Sequence, residues 1–146
     1  MLLIHLTFIL LMKLKLLMFI VATLALLSCT SRKEKAKSDF AKAVSEFYQS
    51  HYQLAKDLFT NCIDAGYNTS ESYFYRGSTR FNLKDYNGAI EDLSMAIKVD
   101  SMYTDAWSTR GDIYTVLGKK EEGCRDWKKA ESLGKPNMRD KVKYCN

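Results

Sequence analysis

Proline is almost absent from this sequence, and its absence constrains the fold. The 146 residues include one proline, Pro136. No helix over residues 1–135 is therefore interrupted by a residue that lacks a backbone N–H and clashes with the preceding turn. No stretch shows the sustained alternation of apolar and polar residues that is typical of a half-buried strand. The sequence predicts an all-α protein.

Residues that carry chemistry are also scarce. Of two histidines, only His51 lies outside the apolar N-terminus, at a predicted turn where a solvated side chain is the simpler interpretation. There is no glycine-rich phosphate loop and no paired-cysteine spacing typical of zinc sites. The acids recur at repeat-related places, which favours solvated faces and ion pairs. We find no catalytic residues, expect no cofactor and no metal, and predict that the protein is not an enzyme.

Charge is scarce near the N-terminus. Residues 1–27 carry only two charges, Lys13 and Lys15, and the apolar run that follows has twelve residues, 16–27. A membrane-spanning helix needs about 20 apolar residues, whereas the apolar region of a signal peptide has roughly 7–15. The run therefore favours a signal peptide, whose translation starts at Met1 or at Met12. An uncleaved membrane helix is the alternative, which the two lysines disfavour.

The end of this run resembles the bacterial lipobox, in which a small residue precedes the cysteine that is lipidated and becomes the mature N-terminus. The matching residues are Leu26-Leu27-Ser28-Cys29. The resemblance implies a lipoprotein signal peptide over residues 1–28, a lipid on Cys29, and a domain outside the cytoplasm that is anchored to a membrane of the cell envelope, which we expect to be the outer membrane. An ordinary cleaved signal with an incidental cysteine is the alternative.

The mature chain has little net charge. Without residues 1–28 it keeps 20 Lys and Arg against 17 Asp and Glu, a formal charge of +3. The basic residues just after Cys29 are Arg32, Lys33, Lys35 and Lys37. We interpret residues 29–35 as a polar tether, with a nucleic-acid or lipid-headgroup patch as the alternative. Because exported proteins rarely meet nucleic acid, we expect no nucleic-acid partner.

The rest of the chain repeats with a period of 34 residues, in three units at 36–69, 70–103 and 104–137. At this offset small or large apolar residues align in four columns: Ala43, Gly77 and Gly111; Ala55, Ala89 and Gly123; Phe59, Leu93 and Trp127; Cys62, Ala96 and Ala130. A small residue lets a second helix approach closely and a large one fills the gap, which predicts an antiparallel helical hairpin. Hairpins must stack to bury their apolar faces, and the last needs a cap, which we place at 138–146.

These columns resemble the tetratricopeptide repeat family over residues 36–137. The match is close from Tyr73 to Gly77 and from Asp85 to Ile97, and in the third unit at Trp107, Gly111, Tyr114, Ala130 and Leu133. The first unit departs from the pattern, with Asp39 in the column of Tyr73 and Trp107, and Cys62 in place of alanine. The resemblance implies three stacked hairpins in a short right-handed solenoid that binds other proteins.

Two charged columns suggest ion pairs within hairpins. Arg76 and Arg110 share a column with Lys42, and Asp92 and Asp126 follow the two arginines by 16 residues in each case. Folding each hairpin brings arginine to aspartate, so we predict structural pairs. A basic stripe that binds an acidic ligand is the alternative.

Three cysteines remain once Cys29 is assigned to lipid. Cys62 lies in a column of small packing residues and is predicted to be a buried thiol. Cys124 and Cys145 can meet if the capping segment folds back. The stretch 123–130 with the terminal Tyr144-Cys145 resembles closing repeats of exported Bacteroidetes proteins, and this resemblance supports a disulfide between Cys124 and Cys145.

The first helices of successive hairpins line the concave surface of this architecture, where residues seven apart share one face. That face is predicted to form a partner-binding groove from Phe40, Phe47, Phe74, Phe81, Ser108 and Thr115. A role in the core is the alternative. The neighbouring line has Val44, Ser78 and Asp112, not the lysine and asparagine with which some family members hold a terminal carboxylate. We therefore expect an apolar helix or extended segment of another protein as the ligand.

Taken with the expected lipid, this surface predicts a function in binding. We expect a membrane-anchored module that recruits or assembles cell-envelope proteins through a concave aromatic groove. A structural lipoprotein that forms a homo-oligomer, or that spaces other components, is the alternative.

Overall fold

The computed structural model describes the backbone of residues 2–145, and all side chains within that range except those of residues 2–11, 25–27 and 29. The described backbone is helical and has no strand, which confirms the all-α prediction. Its seven helices are α1 Leu2–Tyr48, α2 Tyr52–Asp64, α3 Thr69–Asn82, α4 Tyr86–Val99, α5 Thr104–Val116, α6 Lys120–Ser132 and α7 Arg139–Lys143.

The chain divides into two compact units within α1, the first ending at Lys35 and the second beginning at Ala36. In the first unit, most described side chains of the apolar run are exposed, as at Leu16 and Phe19. The lipidation predicted at Cys29 falls on a side chain outside the described residues. Within the described residues, no helix combines the length and the apolar character needed to cross a membrane.

Consecutive helices of the second unit pair in opposite directions. Arg80 on α3 donates to the carbonyl oxygen of Gly88 on α4 at 3.0 Å, whereas Arg76, one turn earlier, donates to Asp92, one turn later. The two helices are therefore antiparallel. They are joined by a three-residue turn, in which Lys84 has a positive φ of 66°. Ser50 and Gly118, one period before and after it, also have positive φ.

Glycine is required where the paired helices approach most closely. A Cβ on Gly111 would lie 2.6 Å from Cδ1 of Trp127, and a Cβ on Gly77 would lie 3.0 Å from Cγ of Leu93. The small residue on one helix thus faces the large residue on the other, as the repeat columns predict.

The core of the second unit lies between the helices as three clusters. The first contains Ala43, Ala55, Leu58 and Phe59. The second spans α4 and α5 and contains Ala89, Leu93, Ala96, Ile97, Ala106 and Ile113. The third contains Cys124, Trp127, Ala130 and Met138. Because the second cluster draws on two successive hairpins, it holds them together as a stack.

Each arginine of the predicted ion pairs also reaches the preceding hairpin. Nε and Nη2 of Arg110 donate to the two carboxylate oxygens of Asp126 at 2.7 and 2.9 Å, while Nη1 donates to Ser94 Oγ at 2.8 Å. Arg76 repeats this pattern with Asp92 and with Thr60. The prediction of structural pairs is confirmed.

Burial by itself lowers the pKa of Arg110, but the hydrogen bonds and charge of Asp126 outweigh it and raise that pKa. Both aspartates of the pairs are buried, at 3% exposure for Asp92 and 5% for Asp126. Each pair is bidentate, the geometry in which arginine binds carboxylate most strongly.

Candidate partner-binding surface

Helix α1 contributes Phe40 and Phe47, and both rings are half-buried. The ring of Phe40 contacts that of Phe59, in the core of the first hairpin, with centroids 5.8 Å apart. Both phenylalanines also contact Tyr75 on α3, at 6.1 and 5.7 Å. Each ring is therefore packed partly into the core, so the alternative role in the core holds for one side of both rings.

Phe74 and Phe81 on α3 are likewise half-buried, and both pack against the second core cluster. The centroid of Phe74 lies 5.0 Å from that of Tyr103, and that of Phe81 lies 5.8 Å from that of Tyr86. One side of each ring therefore serves packing between helices, as the alternative role in the core predicts.

The third hairpin does not continue this surface as predicted. Ser108 is 4% exposed, and its hydroxyl faces the sulfur of Met138 at 3.6 Å. The hydroxyl of Thr115 donates to the carbonyl oxygen of Gly111 at 3.0 Å and lies 2.5 Å from where a Cβ on Gly123 would sit. Ser108 is therefore buried and is wrong as a groove residue, whereas Thr115 is half-buried and its hydroxyl is bonded within its own helix.

Tyr75 is the centre of the surface that the structure does form. Its ring is stacked on Phe59 at 5.4 Å, with an angle of 6° between the planes. Burial, followed by hydrogen bonding with Tyr48 and by the charges of Glu71 and Asp105, raises the pKa of Tyr75 to about 12. Its phenol therefore stays neutral at physiological pH, and Tyr48 beside it is 72% exposed.

We call this set of rings the aromatic surface: Phe40, Phe47, Tyr48, Phe74, Tyr75 and Tyr103. Sequence reasoning missed its three tyrosines. The available signal was Tyr75 itself, which directly follows Phe74 in the motif of the second repeat and lies one helical turn after Glu71.

An open cleft adjoins the aromatic surface at the beginning of α3. It is lined by Asn68, Ser70, Glu71, Asp100 and Tyr103. Asn68 Nδ2 donates to Glu71 Oε2 at 2.9 Å, and Asp100 Oδ1 accepts from the backbone N–H of Met102 at 2.9 Å. Burial first, and then the charges of Glu71, Asp105 and Asp100 together with the neighbouring Tyr75, raise the pKa of Tyr103. The cleft combines two carboxylates with a neutral phenol.

The three residues beside the predicted groove, Val44, Ser78 and Asp112, are already packed or paired with other residues of this chain. Val44 packs on the first core cluster, and Ser78 is 8% exposed. Asp112 accepts a hydrogen bond from Trp127 Nε1 at 2.8 Å and forms an ion pair with Lys141. These three residues therefore offer no free cation to a carboxylate.

The C-terminal segment is fastened to the last hairpin. Cys124 and Cys145 form a disulfide with their Cα atoms 5.6 Å apart. Met138 is 3% exposed within the third core cluster, and Lys141 Nζ lies 5.5 Å from the centroid of Trp127. The helical part of this segment, α7, is shorter than the expected cap over residues 138–146.

The remaining residues considered for chemistry have structural partners. Cys62 is a free, buried thiol whose sulfur lies 3.4 Å from the carbonyl oxygen of Ala36. His51 is 59% exposed, with Nδ1 2.7 Å from Glu46 Oε2. Among the side chains that the structure describes, no group of three or more histidine, cysteine or acidic residues is arranged to hold a metal ion.

No protein-family model matches the chain. Among curated proteins, DnaJ homolog subfamily C member 7 of Homo sapiens is 31% identical over 111 residues, which cover 72% of this chain and 22% of that protein. Its Dictyostelium discoideum homolog is 33% identical over 101 residues, which cover 66% of this chain and 19% of that protein. The chain thus spans about a fifth of the length of these relatives.

Solved structures match over most of their own length. The first TPR of Spaghetti (RPAP3), bound to the HSP90 peptide SRMEEVD, is 28% identical with a TM-score of 0.72, covering 77% of this chain and 91% of that chain. The second TPR of the same protein, bound to the same peptide, is 25% identical with a TM-score of 0.67, covering 73% and 93%. PcrH, in complex with the chaperone binding region of PopB, is 12% identical with a TM-score of 0.70, covering 78% and 96%, a likeness of fold alone.

Proposed function

We propose that this chain, which has the fold of a tetratricopeptide repeat (TPR) domain, is an interaction module that binds a segment of another protein on its aromatic surface. The observation that carries the proposal is that the rings of this surface are partly packed on the core and partly exposed to solvent. Its rings are packed on one side, which holds them rigid, and at Tyr48 the surface reaches 72% exposure. Aromatic residues held in this way supply large contact area at little entropic cost, and they are enriched where proteins bind one another.

Three of the solved structures support a peptide as the ligand. Two RPAP3 domains similar to this chain are bound to SRMEEVD, and another structure of the second RPAP3 domain, 23% identical to this chain, contains an HSP70 peptide. A domain of this size can therefore hold a short segment of a partner. We propose the same mode of binding here, with a ligand suited to aromatic side chains.

We further propose that the stack consists of three repeats, 36–69, 70–103 and 104–137, closed by the segment 138–146 as a cap. The 34-residue recurrence of Arg76 and Arg110 supports this count, because each bridges its own hairpin to the one before it. In the first repeat Lys42 replaces the arginine, as expected for a unit with no preceding hairpin.

We propose that the domain is displayed on a membrane of the bacterial cell envelope, as a lipoprotein of Bacteroidetes type. The support is the sequence around the predicted cleavage site: two lysines, an apolar run, and then Leu27-Ser28-Cys29. Residues 1–28 would be removed, and 29–35 would serve as the tether between the lipid on Cys29 and the repeats.

Site-specific photo-cross-linking tests the binding function. A photoreactive phenylalanine analogue at Tyr48, on the aromatic surface, is compared with the same analogue at Tyr144, which is 55% exposed at the far end of the domain. We expect position 48 to capture a different protein in native membranes, while position 144 captures none or far less.

Two results would contradict the proposal. Equal capture from both positions would mean that the aromatic surface has no special role. Capture of a second copy of this chain from position 48 would favour the self-associating structural lipoprotein instead.

A further inference from the structure

We propose that the segment bound on the aromatic surface carries a lysine or arginine side chain, which pairs with Glu71 and lies against the rings of Tyr75 and Tyr103. This inference rests on the proposed function and deepens it, because it states the charge of the partner. The occupant is a cationic, extended segment of another protein.

The first argument is the charge beside the aromatic surface. Glu71 is exposed, and its described partner is the neutral amide of Asn68. Asp100 lines the same cleft, and no lysine or arginine is among the lining residues. The salt bridges found among the described residues include neither Glu71 nor Asp100. A cation entering this cleft therefore meets two carboxylates that are not already neutralised.

The nearby Asp105 differs, because it is paired with Lys135 from the C-terminal segment. Its charge still acts on Tyr75 and Tyr103. Burial is the main cause that raises the pKa of each phenol, and the charges of Glu71 and Asp105 contribute to both. The two phenols therefore sense a negative potential, and both stay neutral. A positive side chain relieves this potential, whereas an acidic one increases it.

The second argument is the aromatic rings themselves. A cation over a tyrosine or tryptophan face is attracted by the ring. The described residues already make this contact at several places: Arg110 lies 5.0 Å from the centroid of Trp107, Lys120 lies 4.6 Å from that of Tyr144, and Arg76 lies 5.6 Å from that of Tyr73. Among the described residues no cation is found over Tyr75 or Tyr103, and Tyr103 lines the open cleft together with Glu71.

The peptide bound in the solved RPAP3 structures has the opposite charge to the ligand proposed here. The peptide SRMEEVD carries three acidic residues against one arginine. This chain presents the carboxylates of Glu71 and Asp100 beside its aromatic surface, and its Asp112 is already paired with Lys141. The fold is shared, but complementarity of charge requires a ligand of the opposite sign.

Peptide binding to the full chain, purified in a non-ionic detergent, tests the inference by fluorescence anisotropy. The probes are SRMEEVD, the charge-reversed SRMKKVK and the uncharged-core SRMQQVQ. We expect SRMKKVK to bind roughly five- to tenfold more tightly than SRMQQVQ, with the preference weakened at high salt. A displayed library of random heptapeptides should in parallel enrich lysine and arginine.

Two matched variants test whether Glu71 causes the preference for the cationic peptide. Glu71→Gln should lower the preference for SRMKKVK by about threefold, the effect of one exposed charge pair. Glu91→Gln removes an exposed acid from α4 and should leave the preference unchanged.

The possible results distinguish a failure of the cationic ligand from a failure of the proposed binding function. Tighter binding of SRMEEVD, or enrichment of neutral or acidic peptides, would overturn the cationic ligand and leave an interaction module. An unchanged preference in Glu71→Gln would also overturn it. If no probe or library member binds and position 48 captures nothing, both proposals fail together.

Discussion

At the scale of single residues, Arg110 links two hairpins through one planar guanidinium group. Replacement by methionine leaves Asp126, 5% exposed, without a charge partner. Breaking a buried pair in this way costs about 3–5 kcal/mol, so we expect Arg110→Met to lower the free energy of unfolding by about 3 kcal/mol. Urea denaturation followed by circular dichroism measures the change.

Lys42→Met is the matched control, because Lys42 occupies the same repeat column but is exposed. The residue one period before Asp92 is Leu58, so Lys42 has no acid in that column. We expect a change within about 0.5 kcal/mol. Equal losses in both variants would show that the arginine pair contributes nothing beyond an ordinary surface charge.

Cys62 makes stability depend on pH in the alkaline range. Burial, and then the charge of Asp39, raises the pKa of this thiol from 9.0 to about 11. The unfolded chain therefore releases the thiol proton at a lower pH than the folded chain does. The stabilisation from the neutral buried thiol is complete below pH 9 and is lost as pH rises toward 11.

Two measurements check this behaviour. Peptide-level mass spectrometry should show that iodoacetamide at pH 8 labels Cys62 only after unfolding, since the thiolate is the reactive form. The melting temperature should fall less between pH 8 and 10.5 in Cys62→Ala than in the wild type. Rapid labelling of the native protein would mean that the thiol is neither buried nor neutral.

At the scale of elements, α7 cannot hold its place by helix formation alone. It has five residues, none of them buried, and short isolated helices are marginal in water. Its position depends on Met138, which is packed into the third core cluster, and on the bond between Cys124 and Cys145. The cap is therefore a segment fastened at both ends.

Removing the bond should loosen this segment and expose Trp127. The cysteines are 21 residues apart, so Cys145→Ser is expected to lower the free energy of unfolding by about 3 kcal/mol and to shift tryptophan fluorescence to the red. Dithiothreitol should produce the same change in the wild type and no further change in the variant. An identical melting temperature with and without dithiothreitol would contradict this account.

At the scale of the whole molecule, the proposed lipid on Cys29 decides where the domain resides. Because two or more acyl chains anchor a protein firmly, Cys29→Ala is expected to move the domain from the membrane to the soluble fraction, or to leave an unprocessed precursor. Membrane fractionation and incorporation of labelled fatty acid measure the effect.

Cys145→Ser is the control for this experiment, since it removes a cysteine from the cap and should keep the label. A mature protein that begins at any residue other than Cys29 would contradict the lipoprotein proposal. Its repeats would still form the stack, because the core clusters lie entirely after residue 35.

Much of the fold was predictable from the sequence, because the two helices of a hairpin are close in sequence and their contacts recur with each repeat. The 34-residue recurrence of small and large residues encodes how closely two neighbouring helices approach, and Gly77 opposite Leu93 shows that approach directly. The ion pairs were predictable for the same reason, since arginine and aspartate 16 residues apart meet when one hairpin closes.

Only the tertiary structure decided which side of each aromatic residue remains available. A spacing of seven places Phe74 and Phe81 on one face of their helix, and Ser108 and Thr115 on the same face of the next, but it carries no information about what packs there from elsewhere in the chain. Ser108 is covered by Met138, 30 residues later, and Phe74 packs against Tyr103, which precedes the next hairpin. Local periodicity therefore determined the helices and their pairing, whereas contacts distant in sequence determined the candidate binding surface.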